Sequence, residues 1–210
     1  MNITFYSTKR WVREAFDHSN ERYRFGLRYL EARLDRTTAP LAEGADGICI
    51  FVNDTADRDV IRILAESGVA FIALRCAGFN NVDLHAAAEY GITVARVPAY
   101  SPYAVAEHAL ALILALNRRL HRAYNRVREG NFALDGLMGF DLHGKTVGII
   151  GTGKIGEIFA RIMSGFGVTL LAYDRYPRDE VKEIGVEYVG LEELYRRSKV
   201  ISLHCPLNHE

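Results

Sequence analysis

Residues 145–174 read KTVGIIGTGKIGEIFARIMSGFGVTLLAYD, and this stretch decides the fold. Residues 145–150 (KTVGII) have the short, β-branched, apolar character of a buried strand, and they run straight into Gly151-Thr152-Gly153-Lys154-Ile155-Gly156. Residues 157–166 follow with the apolar spacing of an amphipathic helix. Gly167 stops it, and residues 168–173 (VTLLAY) form a second strand pattern that ends at Asp174. Strand, GxGxxG turn, helix, strand and acid in that order make a dinucleotide-binding βαβ unit of the Rossmann type.

Each glycine has its own task in such a unit. Gly151 permits the tight turn, Gly153 lets the backbone approach a pyrophosphate, and Gly156 lets helix and strand pack closely. The phosphates then meet the free N–H groups where Lys154 and Ile155 begin the helix. Asp174 lies 18 residues past Gly156. A carboxylate there accepts hydrogen bonds from the ribose hydroxyls and repels a 2′-phosphate, which favours NAD over NADP. The neighbouring Arg175 argues the other way, since an arginine at that turn can meet a 2′-phosphate.

Upstream, short β-rich runs alternate with helical patterns, which predicts an α/β fold with mainly parallel strands. Residues 2–6, 47–52, 71–75 and 92–97 read as strands, the second buried on both faces. Residues 13–29, 58–67 and 83–90 read as helices, the last two closed by Gly68 and Gly91. Ser101-Pro102 opens another helix, with Ser101 placed to cap its N–H groups and Pro102 losing no hydrogen bond at the first helical position. That helix runs through 104–116 and on into Arg118, Arg119 and Arg122. It is apolar on nearly all sides, which predicts burial between layers, between domains or against a second subunit. Glycines at 130, 136, 139 and 144 mark a looser connection. A boundary near Ser101 gives two domains, 1–100 and 101–210.

Composition excludes several classes of function. Lys plus Arg equal Asp plus Glu at 26 each, so no overall field attracts nucleic acid or an anionic membrane. Cys49, Cys76 and Cys205 have no CxxC spacing, which points to no metal site and to a reducing compartment, and the cytoplasm is the simplest assignment. The N-terminus has no signal-peptide h-region. Residues 104–116 contain Glu107 and His108 and fall short of the ~20 apolar residues a span needs.

Several blocks around the fingerprint carry a family resemblance. They are Arg75-Cys76-Ala77-Gly78-Phe79-Asn80-Asn81-Val82-Asp83-Leu84, then Val97-Pro98-Ala99-Tyr100-Ser101-Pro102, then Ala106-Glu107-His108. Tyr173-Asp174 follows, and last comes Val200-Ile201-Ser202-Leu203-His204-Cys205-Pro206-Leu207. In order and spacing the chain resembles the D-2-hydroxyacid dehydrogenases, in particular those of the D-lactate dehydrogenase type. The resemblance implies two doubly wound parallel sheets: a flavodoxin-like substrate domain at 1–100 and a Rossmann-like NAD domain at 101–210. It also implies a small 2-keto or 2-hydroxy acid as substrate; separately, exposed sheet edges and the apolar helix predict a homodimer or higher homo-oligomer.

The resemblance assigns the loop at Ala77 and Gly78 to the substrate carboxylate, through backbone N–H groups, and Tyr100 to the wall of the substrate pocket. Consecutive amides do bind anions; the alternative is an ordinary βα turn in which Gly78 needs a positive φ. His204-Cys205-Pro206 closes a strand read as buried (VISLH), at the carboxyl edge where cofactors bind in doubly wound folds. The resemblance puts its backbone near the adenosine and nicotinamide riboses. Cys205 reads as a small apolar thiol beside the cofactor, and His108 as a core or interface residue.

Oxidising a 2-hydroxy acid also needs a base for the hydroxyl proton and a cation for the carboxylate. In the family an Arg in an N-x-[ST]-R-G type segment and a Glu–His pair do this, all downstream of the HCPL strand. The expectation is therefore a chain without its catalytic residues, inactive alone, with open sheet edges that promote association. Two other readings stay open: a non-catalytic NAD(H)-binding regulatory module, like the family's NAD-sensing corepressors, and a structural subunit pairing through 104–116.

Overall fold

Both sheets are wholly parallel in the computed structural model, which describes residues 1–206. Parallel neighbours need a crossover between them, so helices must cover the faces. The chain divides into two units, Met1–Tyr100 and Ser101–Glu210.

The first unit contains β1 (Asn2–Phe5), α1 (Arg10–Asn20), β2 (Gly26–Tyr29), β3 (Gly47–Ile50), α2 (Arg58–Glu66), β4 (Phe71–Leu74), α3 (Leu84–Glu89) and β5 (Thr93–Arg96). Its strand order is β2-β1-β3-β4-β5, the flavodoxin-like order, with the direction of winding reversing between β1 and β3. The β3 strand is buried throughout, as its unbroken GICI run predicts. Ile48, Ile50 and Ile72 of the sheet pack with Val60, Ile61 and Leu64 of α2. Asp57 and Asp83 cap α2 and α3 by accepting from Val60 N at 3.0 Å and Ala86 N at 2.9 Å. Cys49 and Cys76 are buried, and burial pushes both thiols up, Cys49 to about 11.

The helix expected over 13–29 is corrected here. It ends at Asn20, and residues 26–29 become the edge strand β2. The Asn20 amide holds both backbone groups of Phe25 at 2.9 Å, and Arg24 turns through φ 55°. Tyr29 then packs on Phe5, with ring centroids 5.0 Å apart. Pairing with β1 outweighs a weak helical pattern.

The second unit holds α4 (Pro102–Asn117), α5 (Leu120–Arg128), β6 (Thr146–Ile150), α6 (Lys154–Ser164), β7 (Thr169–Tyr173), α7 (Asp179–Lys182), β8 (Val186–Tyr188), α8 (Leu191–Arg197) and β9 (Val200–Leu203). Its order is β8-β7-β6-β9, so winding reverses between β6 and β9. Ile149, Phe159, Met163 and Leu170 lie in its core.

Four further expectations change. The helix after Pro102 stops at Asn117, whose amide holds both backbone groups of Phe140 (2.7 and 3.0 Å), and Arg119 is left-handed before α5 begins. Ser101 occupies the N-cap position without a side-chain cap bond. Of α4, only Ala106 is fully buried, while Leu112 and Leu116 are exposed; one side packs on α6. The strand read as buried, β9, lies at a sheet edge, with Leu203 68% exposed, because no strand covers its outer side among the described residues. Leu207 lies outside the described residues. No helix among them is long and apolar enough to cross a membrane.

The loops at the carboxyl edge of the first sheet converge on Asp54, which is 1% exposed. It accepts from Ser7 Oγ at 2.7 Å, Leu34 N at 2.8 Å and Phe51 N at 2.6 Å. Arg75 adds bonds to the carbonyls of Tyr6 and Ser7 (3.0 and 2.9 Å) and lies over the Phe51 ring. Asp54→Ala orphans two backbone donors and should cost about 2–4 kcal/mol. Urea unfolding followed by emission of Trp11, the single tryptophan, checks this; a much smaller loss means that water replaces the carboxylate.

Candidate functional site

The GxGxxG turn lies at the carboxyl edge of the second sheet, where β6 gives way to α6. Gly151 has φ +90°, and its N–H donates to Tyr173 O at 2.9 Å. A Cβ on Gly151 would meet the backbone of His204 and Cys205 at 2.7–2.8 Å, and one on Gly156 would meet Gly151 O at 2.0 Å. Around Gly153 the reverse holds: a Cβ there meets nothing within 4 Å. Gly153 is the N-cap of α6 and supplies no side-chain cap. The first-turn N–H groups therefore face open space at the positive end of the helix, a cradle that fits a pyrophosphate.

Asp174 stands just past β7 beside this cradle. Its Oδ2 accepts from Thr152 N at 2.6 Å and Thr152 Oγ1 at 3.0 Å, and its Oδ1 from Tyr176 N at 2.9 Å. Burial opposes ionisation, but these bonds outweigh it and hold the carboxyl below its usual range. The charge that would repel a 2′-phosphate is thus present, although the protein already takes much of the carboxylate's accepting capacity.

Sequence reasoning missed the residues behind Asp174. Thr152 is fully buried; Tyr188 Oη lies 2.8 Å from Thr152 Oγ1, and Arg178 N donates to Tyr188 Oη at 3.2 Å. Arg178 also forms ion pairs with Glu157 at 3.0 Å and Glu180 at 3.6 Å. Only the fold brings these residues to the fingerprint, so no spacing rule finds them.

His204 N donates to Ile150 O at 2.7 Å, which ties the loop after β9 to the end of β6. Its ring approaches Phe159, with centroids 4.9 Å apart, and Nε2 lies 3.0 Å from Ser202 Oγ. Burial lowers its pKa, which favours the neutral ring. Cys205 and Pro206 follow, both exposed, and Lys154 is exposed beside Gly153.

In the first unit, the loop after β4 has its carbonyls turned into the protein. Ala77 O accepts from Arg96 Nη1 at 2.9 Å, and Gly78 O from the Cys76 thiol at 3.3 Å. Neither N–H makes a hydrogen bond among the described residues, and Gly78 is not left-handed. That removes the turn alternative in the form expected, with Gly78 at positive φ. Tyr100 is 70% exposed, and Glu107 and His108 are exposed on α4, so His108 is not a core residue.

Comparison with known proteins gives a consistent picture. Residues 110–210 match the family model for the D-isomer specific 2-hydroxyacid dehydrogenase, NAD binding domain. A 2-hydroxyacid dehydrogenase homolog of Haemophilus influenzae is 54% identical over 210 residues, covering 100% of this chain and 63% of that protein. The D-lactate dehydrogenase of Escherichia coli is 53% identical over 210 residues, covering 100% and 64%. The apo-structure of the Escherichia coli enzyme superposes with a TM-score of 0.90, covering 100% of this chain and 66% of that one. The Aquifex aeolicus D-lactate dehydrogenase complexed with NAD and lactic acid is 34% identical, with a TM-score of 0.83 and coverage of 99% and 61%. The chain thus spans a little under two thirds of the length of these relatives.

The half-buried His204 generates a pH prediction. Its folded pKa lies below the unfolded value of 6.5, so the unfolded chain binds more protons in the window between them and stability falls as pH falls through it. His204→Gln should flatten that part of the profile, read as the difference in thermal midpoint between the variant and the natural chain from pH 5 to 8. An unchanged profile would show that the imidazole stays solvated in both states.

Proposed function

Because the chain belongs to the D-isomer-specific 2-hydroxyacid dehydrogenase family, we propose that residues 101–210 bind NAD and residues 1–100 are the main part of a substrate domain for a small D-2-hydroxy acid or its keto form. One observation carries the cofactor reading: the open, uncapped start of α6 beside an ionised Asp174. In this reading the N–H groups at Lys154, Ile155 and Gly156 receive the pyrophosphate, with Gly153 giving it room. Asp174 receives the adenosine ribose, flanked by Tyr173, and the loop of His204, Cys205 and Pro206 borders the dinucleotide. The nicotinamide supplies a hydride acceptor when bound. Lactate or pyruvate is the substrate pair that the D-lactate dehydrogenases support.

The substrate carboxylate is assigned to the unpaired N–H groups of Ala77 and Gly78, with Tyr100 as a pocket wall. Two adjacent amides bind an anion without a cationic side chain, and their carbonyls are already committed elsewhere. The base and the substrate-fixing arginine have no counterpart in the sequence 1–210 by family resemblance.

Two measurements check this. Asp174→Ala should weaken NADH binding by about 1–3 kcal/mol while affecting NADPH less; equal losses contradict the ribose role. Pyruvate-dependent NADH oxidation should be absent from the 210-residue chain although NADH binds. Robust turnover would locate a base and a carboxylate-fixing cation within it, with His204, His108 and Arg75 the first to replace.

A further inference from the structure

A one-way chain of hydrogen bonds ends on Asp174, and its direction follows from proton counting. An ionised carboxylate only accepts, so the single proton of the Thr152 hydroxyl goes to Oδ2, 3.0 Å away. Thr152 Oγ1 then has only lone pairs for Tyr188, so the proton across the 2.8 Å contact belongs to Tyr188. The Tyr188 oxygen in turn accepts the N–H of Arg178 at 3.2 Å. The three donors Arg178 N, Tyr188 Oη and Thr152 Oγ1 are thus committed in one direction, toward Asp174. Thr152 is fully buried, where an unmade hydrogen bond is costly.

We propose that Tyr188 is a positioning residue for cofactor choice: acting through Thr152, it holds Asp174 ionised and aimed, and so sustains the discrimination between NADH and NADPH. This rests on the reading of Asp174 as the ribose-facing acid. The nearby Arg178 guanidinium is consistent with it, because it is paired with Glu157 and Glu180 and so is committed to carboxylates of this chain. Tyr188 touches no reacting atom; its influence passes through a hydroxyl that Phe lacks and Thr152 alone relays.

The test uses the whole 210-residue chain and reads dissociation constants for NADH and NADPH from nicotinamide fluorescence. Tyr188→Phe and Thr152→Val should each weaken NADH about two- to tenfold, the worth of one hydrogen bond, while NADPH changes less. Thr152→Ser keeps the hydroxyl and should restore the preference. In an Asp174→Ala background, Tyr188→Phe should add no further loss. If Tyr188→Phe does not fold, the Thr152→Val and Thr152→Ser pair carries the same comparison. A cofactor-free readout accompanies it: the Asp174 carboxyl, followed by carbon NMR, should titrate at higher pH in Thr152→Val than in Thr152→Ser. Equal loss of both nucleotides, or losses additive with Asp174→Ala, overturns the role of Tyr188 and leaves the dinucleotide site standing. A natural chain that binds neither nucleotide overturns the site and the positioning role together.

Discussion

Backbone packs directly on backbone where Gly151 meets the carbonyl of His204 on one side and the first turn of α6 on the other. No side chain fits there, and the left-handed φ of Gly151 adds a second reason for glycine. This contact draws together the loop after β6, the start of α6 and the loop after β9, at the point where the winding of the sheet reverses. Because all four strands of that sheet are parallel, their carboxyl ends share one edge. The helix N-terminus, Asp174 and His204 therefore lie on the same side of one sheet, which gives a nucleotide a place to bind in any fold of this kind.

Short polar side chains do the corresponding work in the loops. Asn20 serves both backbone groups of Phe25, and Asn117 does the same for Phe140. Asp54 accepts from the amides of Leu34 and Phe51. In each case a side chain replaces the partner that regular secondary structure would have supplied, and a buried or half-buried amide is left satisfied. Asp174 belongs to this set, since Thr152 and Tyr176 donate to it. Its carboxylate is a fastener of the loop as well as a candidate ligand, which ties the rigidity of the turn to the chemistry it presents.

Where sequence and structure part, the cause is pairing at a distance. Residues 26–29 carry no strong periodicity, so the preceding helix pattern extends over them until β1 is seen to lie alongside. The apolar run 104–116 continues smoothly into basic residues, and nothing local marks the break that Asn117 makes by reaching Phe140, 23 residues away. Ser101 has the right identity for a cap but the wrong backbone for it, with ψ 77°. The β9 strand has a buried composition and an edge position, because a strand's neighbours are a property of the sheet and not of its own residues.

The amino-acid sequence by itself determined the βαβ fingerprint, the parallel α/β class and the glycines of the turn, because each depends on residues adjacent along the chain and on backbone sterics that only glycine relieves. Tertiary structure decided what stands behind the fingerprint. Tyr188 and Arg178 reach Thr152 across 36 and 26 residues, and the inward-turned carbonyls at Ala77 and Gly78 depend on Arg96 and on the Cys76 thiol. A chain of hydrogen bonds and an open pair of amides are defined by distances of about 3 Å between groups, a length that hydrogen bonding imposes and that spacing along a chain does not encode.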